Sequence, residues 1–113
     1  DFVELARPFL TAAVEYDAEA VRKHLTQADL DGHVEALRAA LEENDDAWDE
    51  PTIEQVLRRV ADARGIKAAA LIHAARIAAT GQAVSPGIFE VLALLGKPLT
   101  IARLDDLVRY LRT

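Results

Sequence analysis

The sequence predicts an all-α domain, and three observations carry that prediction. Leu and Ala make up 37 of the 113 residues, and both lose little side-chain freedom in a helix. Apolar residues recur at three- and four-residue spacing, and no segment alternates apolar with polar as a half-buried strand would. Gly, Pro, Asp and Ser punctuate the chain into pieces of helix length. The expectation is a compact bundle of about six or seven short helices around one core.

The elements follow in order. Phe2, Leu5, Ala6, Phe9 and Leu10 fall at helical intervals, with Pro8 marking a bend or a helix start. Asp17 is placed to cap a short helix running through Val21 to Leu25. From Asp31 or Gly32 to about Glu43, Val34, Leu37, Ala40 and Leu41 share one face. The acidic stretch Glu42-Glu43-Asn44-Asp45-Asp46 then reads as a solvated linker. Thr52-Ile53-Glu54-Gln55 has capping-box spacing after Pro51 and opens a helix with Ile53, Val56, Leu57, Val60 and Ala61 inward, stopped by Gly65. A further helix is expected from about Lys67 to Thr80, ended by Gly81. Ser85-Pro86 then reads as a helix start, with the hydroxyl capping and Pro at the first position. That short helix turns Phe89, Leu92 and Leu95 inward and ends at Gly96; after Lys97-Pro98 the last helix runs to about Leu111.

Charge divides the chain. The formal net charge is −6, but residues 1–55 hold 4 Lys and Arg against 15 Asp and Glu, whereas residues 56–113 hold 9 against 4. The halves therefore carry −11 and +5, which predicts an acidic linking part over 1–50 and a part over 51–113 able to meet a polyanion. Charge alone leaves a second reading open, in which both halves only have charged outer helix faces.

Catalytic patterns are absent. With no Cys there is no disulfide framework, thiolate zinc site or cysteine nucleophile. His24, His33 and His73 lack metal-ligand spacing and read as surface or packing residues. Gly81, Gly87 and Gly96 do not build a phosphate loop. No apolar run is long enough to span a membrane. Opening on Asp1-Phe2-Val3, the chain reads as part of a longer one. A helix-turn-helix over 86–112, turning at Gly96-Lys97-Pro98, is an alternative. It is weakened by Asp105 and Asp106, which would face phosphates. A small helical module docking a partner helix is another.

Residues 72–104 carry a more specific signal. Arg76, then Thr80-Gly81, Ser85-Pro86-Gly87, Leu95-Gly96-Lys97 and Arg103-Leu104 stand at fixed spacing. This block resembles the carboxy-terminal anticodon-binding domain of bacterial glutamyl-tRNA synthetases. So do Trp48, the 53–60 helix, Gly65-Ile66-Lys67 and the run from Tyr16 to Leu25. One departure is Ala74-Ala75, where the family has Pro-Leu before the arginine, which bears on the local bend of that helix.

The resemblance implies a domain that receives the anticodon loop of a glutamate-accepting tRNA within a cytoplasmic two-step ligase. Catalytic residues, ATP and magnesium would belong to an amino-terminal catalytic domain, joined through helical domains of the same chain. No cofactor, DNA or membrane is implied for these 113 residues. It assigns the anticodon contacts to Arg76, Ser85, Pro86, Gly87 and Ile88, with Lys97 and Arg103 as further candidates. An arginine fork can stack on a base or bond its edge. Free amides at a helix start suit anionic oxygens. Gly87 admits close approach of a nucleotide, and Ile88 would offer an apolar platform for a base face.

Overall fold

The structure, a computed structural model, describes residues 14–113. The expected helical register of Phe2, Leu5, Ala6, Phe9 and Leu10 lies outside the described residues. Among those described there are six helices and no strand. They are α1 (Ala18–His24), α2 (Leu30–Glu43), α3 (Glu50–Ala63), α4 (Ala68–Thr80), α5 (Ile88–Leu95) and α6 (Lys97–Leu111). The all-α expectation holds, and none of the described helices is long and apolar enough to cross a membrane.

Local chemistry sets the boundaries. Asp17 caps α1 as expected, its carboxylate accepting the Ala20 amide at 2.9 Å. The start of α3 differs from expectation. Asp49, not Thr52, is the cap, accepting the Thr52 amide at 2.9 Å, and Pro51 lies inside the first turn. A proline costs nothing there because that N–H would have no helical partner. These hydrogen bonds from Thr52 hold the Asp49 carboxyl below the usual carboxylate range. At the other end of α3, Gly65 takes φ +68° and the Ile66 amide returns to the Ala61 carbonyl at 3.0 Å, a Schellman-type closure. The start of α5 is a second correction. Gly87 is its cap residue with no side-chain cap bond. The Ser85 hydroxyl instead donates to the neighbouring Pro86 carbonyl at 2.7 Å.

One apolar core joins α2 to α6. Val34, Leu37 and Leu41 of α2, Ile53 and Leu57 of α3, Leu71 of α4, Leu92 of α5 and Leu104 and Leu107 of α6 are almost fully buried within it. Residues on both sides of position 50 therefore share the same core. α4 is one uninterrupted helix through Ala74-Ala75, both buried at 1% exposure. Their small side chains leave room for the helices packed around it. α2 lies along α6, and their outer edges are tied by ion pairs. Arg112 bonds Asp31 (2.9 Å) and Glu35, and Arg38 reaches Asp105 at 2.8 Å. The Arg112 bond holds the Asp31 carboxyl below its ordinary range.

Gly96 alone connects α5 to α6, at φ +87°. Around it, Trp48 donates its indole N–H to the Leu92 carbonyl at 2.9 Å. Thr100, buried at 1%, directs its hydroxyl at the same carbonyl, 3.5 Å away. These contacts overturn the helix-turn-helix alternative. Its recognition helix would begin Thr100-Ile101-Ala102-Arg103, but Thr100 and Arg103 are turned into the core.

Gly81 ends α4 at φ +78°, and the chain entering α1 runs directly over it. A β-carbon at Gly81 would stand 2.1 Å from the Glu15 carbonyl oxygen. Gly81→Ala is thus expected to cost roughly 1–3 kcal/mol or more, from backbone strain plus displacement of the 14–17 segment. Denaturant unfolding of the variant checks this; a loss below a few tenths of a kcal/mol would show that the crossing is not held.

Candidate nucleic-acid interface

The segment between α4 and α5, with the helix ends that flank it, carries most of the residues singled out in the sequence. Arg76 lies on the last full turn of α4, with no carboxylate within reach one turn away on that helix. Its Nε donates to Ser85 Oγ at 3.1 Å, which ties the guanidinium to the turn before α5. Its terminal nitrogens make no hydrogen bond or ion pair among the described residues. Thr80 locks the turn: its hydroxyl donates to the Arg76 carbonyl at 2.7 Å and accepts the Gln82 amide at 3.1 Å. Pro86 and Gly87 are exposed beside the half-buried Ser85. Arg76, Ser85, Pro86 and Gly87 are thus brought together on one surface.

Three other expected contacts are placed differently. Ile88 is buried at 3% and packs in the core, so it presents no platform to a base. In an eight-residue helix the Ile88–Leu92 register buries itself as well as the Phe89–Leu92 one expected, and the first of these faces inward. Lys97 donates its ammonium to the Asn44 carbonyl at 2.7 Å, tying α6 to the loop before α3. Arg103, 6% exposed, donates Nη1 to the Ala79 carbonyl at 2.8 Å. It therefore satisfies one of the orphan carbonyls at the carboxy-terminal end of α4, where a cation is also favoured by the helix dipole.

Two features escaped the sequence. Val84 is 85% exposed next to Ser85 and supplies the apolar surface that Ile88 does not; an apolar residue off the helical period inside a turn was the available signal. The second is a pair of histidines. His24 at the end of α1 and His73 on α4 stack with ring centroids 4.2 Å apart and planes at 21°. Nothing in their spacing along the chain indicates that contact. Desolvation first, and then the neighbouring His24, Arg76 and Lys23, push the His73 imidazole below its ordinary pKa.

Known proteins share this sequence pattern and fold. A family model described as "Anticodon binding domain" matches residues 1–108. A glutamate–tRNA ligase of Moorella thermoacetica is 34% identical over 116 residues, covering 99% of this chain and 23% of that protein. Glutamate–tRNA ligase 2 of Koribacter versatilis is 40% identical over 107 residues, covering 92% and 22%. A crystal structure of a glutamate tRNA ligase from Elizabethkingia meningosepticum, in complex with its amino acid, has the same fold. It superposes with a TM-score of 0.79 at 19% identity, over 96% of this chain and 21% of that one. The chain thus spans under a quarter of the length of the curated relatives it matches.

The partners of Arg103 and His73 generate two expectations. Arg103→Ala leaves the Ala79 carbonyl and a buried void behind, so it should lower stability by about 1.5–3 kcal/mol, the scale of a hydrogen bond from a charged donor. Urea unfolding measures it, and an unchanged midpoint would remove Arg103 from the closure of α4. For His73, the folded protein binds its proton more weakly than the unfolded chain does. Stability is therefore unaffected well above about pH 6.5 and falls as pH drops through that ordinary imidazole value. The thermal midpoint should fall between about pH 7.5 and pH 5.5, and part of that fall should vanish in His73→Gln.

Proposed function

The chain belongs to the anticodon-binding domain family, and from that premise we propose that the α4–α5 surface receives the anticodon loop of a glutamate-accepting tRNA. It does so as one domain of a glutamate–tRNA ligase. The observation that carries this reading is the state of Arg76. Its fork is anchored at Nε by Ser85, and its remaining donors have no partner among the described residues. Unstacked loop bases are read by such groups, through stacking on a planar guanidinium and hydrogen bonds to base edges. Val84 offers an apolar contact beside it, and exposed Pro86 and Gly87 let a nucleotide come close to the backbone.

The roles of these residues are separable. Arg76 and Ser85 bind, and Val84 with Pro86 and Gly87 shapes the surface. Arg103 and Lys97 act indirectly, by holding α4 and the 44–48 loop in place. The chemistry of aminoacylation, with its ATP and magnesium, belongs to the rest of the ligase, and so does the contact with neighbouring helical domains. Binding at the anticodon contributes by selecting the correct tRNA far from the reacting atoms. Work in translation implies a cytoplasmic protein.

In the full-length ligase, Arg76→Ala should weaken tRNA use by ~1–3 kcal/mol, the usual scale for a base-reading arginine. Glutamate activation without tRNA should be unchanged. Arg76→Lys should recover only part of the loss, because a point charge cannot replace a planar fork. Aminoacylation kinetics with varied tRNA measure both. An unaltered specificity constant for tRNA in Arg76→Ala would refute the assignment. So would equal, salt-sensitive binding of the wild-type chain to glutamate tRNA and to an unrelated tRNA.

A further inference from the structure

The stacked imidazoles lie beside Arg76, yet they take no part in the contacts described so far. His73 stands one helical turn before Arg76 on α4, and His24 ends α1 directly after Lys23. Among the described residues, the charges that act on His73 are all basic: His24, Arg76 and Lys23. On α1, Glu19 is occupied by an ion pair with Arg22. The Asp17 carboxylate is turned to the amide of Ala20 at the opposite end of that helix. Among the described residues, no charged group on the other elements packed against α4 acts on His73. Arg64, after α3, donates to His33 of α2 at 2.7 Å, and Arg103 of α6 binds the Ala79 carbonyl. The Nδ1 atom of His73 is buried and has no hydrogen-bond partner among the described residues.

This is an unusual arrangement for residues that only pack. Burial first, and then the stacked His24 ring and the Arg76 and Lys23 cations, disfavour a proton on His73, and among the described residues no carboxylate acts on it to offset the repulsion. A backbone phosphodiester has the charge the cluster lacks, and its two non-bridging oxygens can each accept more than one N–H from an ammonium, a guanidinium and an imidazolium. We propose that His24 and His73, with Lys23 and Arg76, form a phosphate subsite that continues the RNA surface from α4 onto the end of α1. It takes the backbone of a nucleotide next to the one whose base meets Arg76. On binding, one imidazole of the pair takes a proton from solvent and donates an N–H to a phosphate oxygen. The subsite rests on the reading of Arg76 as an anticodon contact, but it carries its own signature, because only the histidines couple RNA binding to proton uptake near neutrality.

The coupling fixes the direction of the pH effect. Free, His73 resists protonation; beside a phosphate it is favoured, so binding tightens as pH falls. Affinity of the 113-residue chain for glutamate tRNA is measured at about pH 6 and about pH 8, at one ionic strength. The wild type should bind about five- to tenfold tighter at the lower pH, since a rise of one pKa unit on binding corresponds to tenfold. His24→Gln and His73→Gln should each reduce that gain, and the double variant should abolish it. Binding at the higher pH should then change less than about twofold. The imidazole resonances of the wild type should titrate at higher pH in the complex than in the free chain. Circular dichroism at the higher pH establishes that each variant is folded. Affinity that does not vary with pH, or a folded double variant that keeps the full gain, overturns the proposal. Arg76→Ala at the higher pH separates the two readings. If it weakens binding while the histidine variants leave the pH gain intact, the anticodon surface stands and the phosphate subsite falls. If it too leaves binding unchanged, the anticodon reading itself fails.

Discussion

The interface depends on how one helix end is closed. Every α-helix leaves its last carbonyls without intrahelical donors, and at the end of α4 the donors come both from its own last residues and from α6. Gly81 returns its own amide to Ile77 at 2.7 Å, Thr80 covers Arg76, and Arg103 reaches across from α6 to Ala79. The Gly81 carbonyl then accepts the Asp17 amide at 2.8 Å, which fixes where α1 begins. Tyr16, next in sequence, meets the edge of Tyr110 with ring centroids 4.8 Å apart. One junction therefore sets the position of α1, the course of residues 81–87, and the turn on which Arg76 sits. The α4–α5 surface is assembled by groups that lie outside it.

The same accounting explains why net charge by halves is a poor guide to the potential that a ligand meets. The second half carries nine cations. Arg58, Arg64, Arg109 and Arg112 are ion-paired, and Lys97 and Arg103 are spent on backbone carbonyls. Arg59, Lys67 and Arg76 are left with neither kind of partner among the described residues. Much of the acidity of the first half is consumed by the same contacts, since Asp31 and Glu35 of α2 face Arg112. Exposed pairs of this kind contribute little to stability. Their effect here is on electrostatics: they cancel charge away from the α4–α5 turn and leave Arg76 as a cation with capacity to spare.

What was legible in the sequence follows one-residue rules with a single physical cause. Asp17 caps because its short side chain reaches back to a free amide, and Gly81 and Gly96 end helices because only glycine enters that backbone region without strain. The helix faces of α2 and α3 followed from periodicity. The misreadings arose where two local rules competed. At the start of α3, Pro51 fits either outside the helix or in its first turn, and Asp49 decided the matter by being the better acceptor. At Ser85-Pro86, the pair reads as a helix start, but the Ser85 hydroxyl finds both the Pro86 carbonyl and the Arg76 guanidinium, and α5 begins later. The His24–His73 stack, the Lys97 tie and the Arg103 tie join residues far apart in sequence, and no local pattern encodes them. The spaced block from Arg76 to Arg103 carried the family resemblance, while tertiary contacts decided which of its members face outward.

The competition at Ser85 also bears on how the arginine works. A free arginine carries ~2 kcal/mol of rotamer entropy, and a ligand that must order it loses that much of its binding energy. With Nε held at 3.1 Å by Ser85, and Ser85 itself held to Pro86, much of this ordering is completed in the folded chain. The plane of the guanidinium is then defined before a base arrives, so a base edge or face is judged against a fixed set of donors. A lysine at this position would carry the charge without the plane, and an alanine at position 85 would keep the plane without the anchor. Affinity and selectivity thus have different origins at this site. In the proposed role, the charge of Arg76 would attract any nucleic acid, whereas its orientation, set by a serine displaced from the capping role, would allow one loop to be preferred over another.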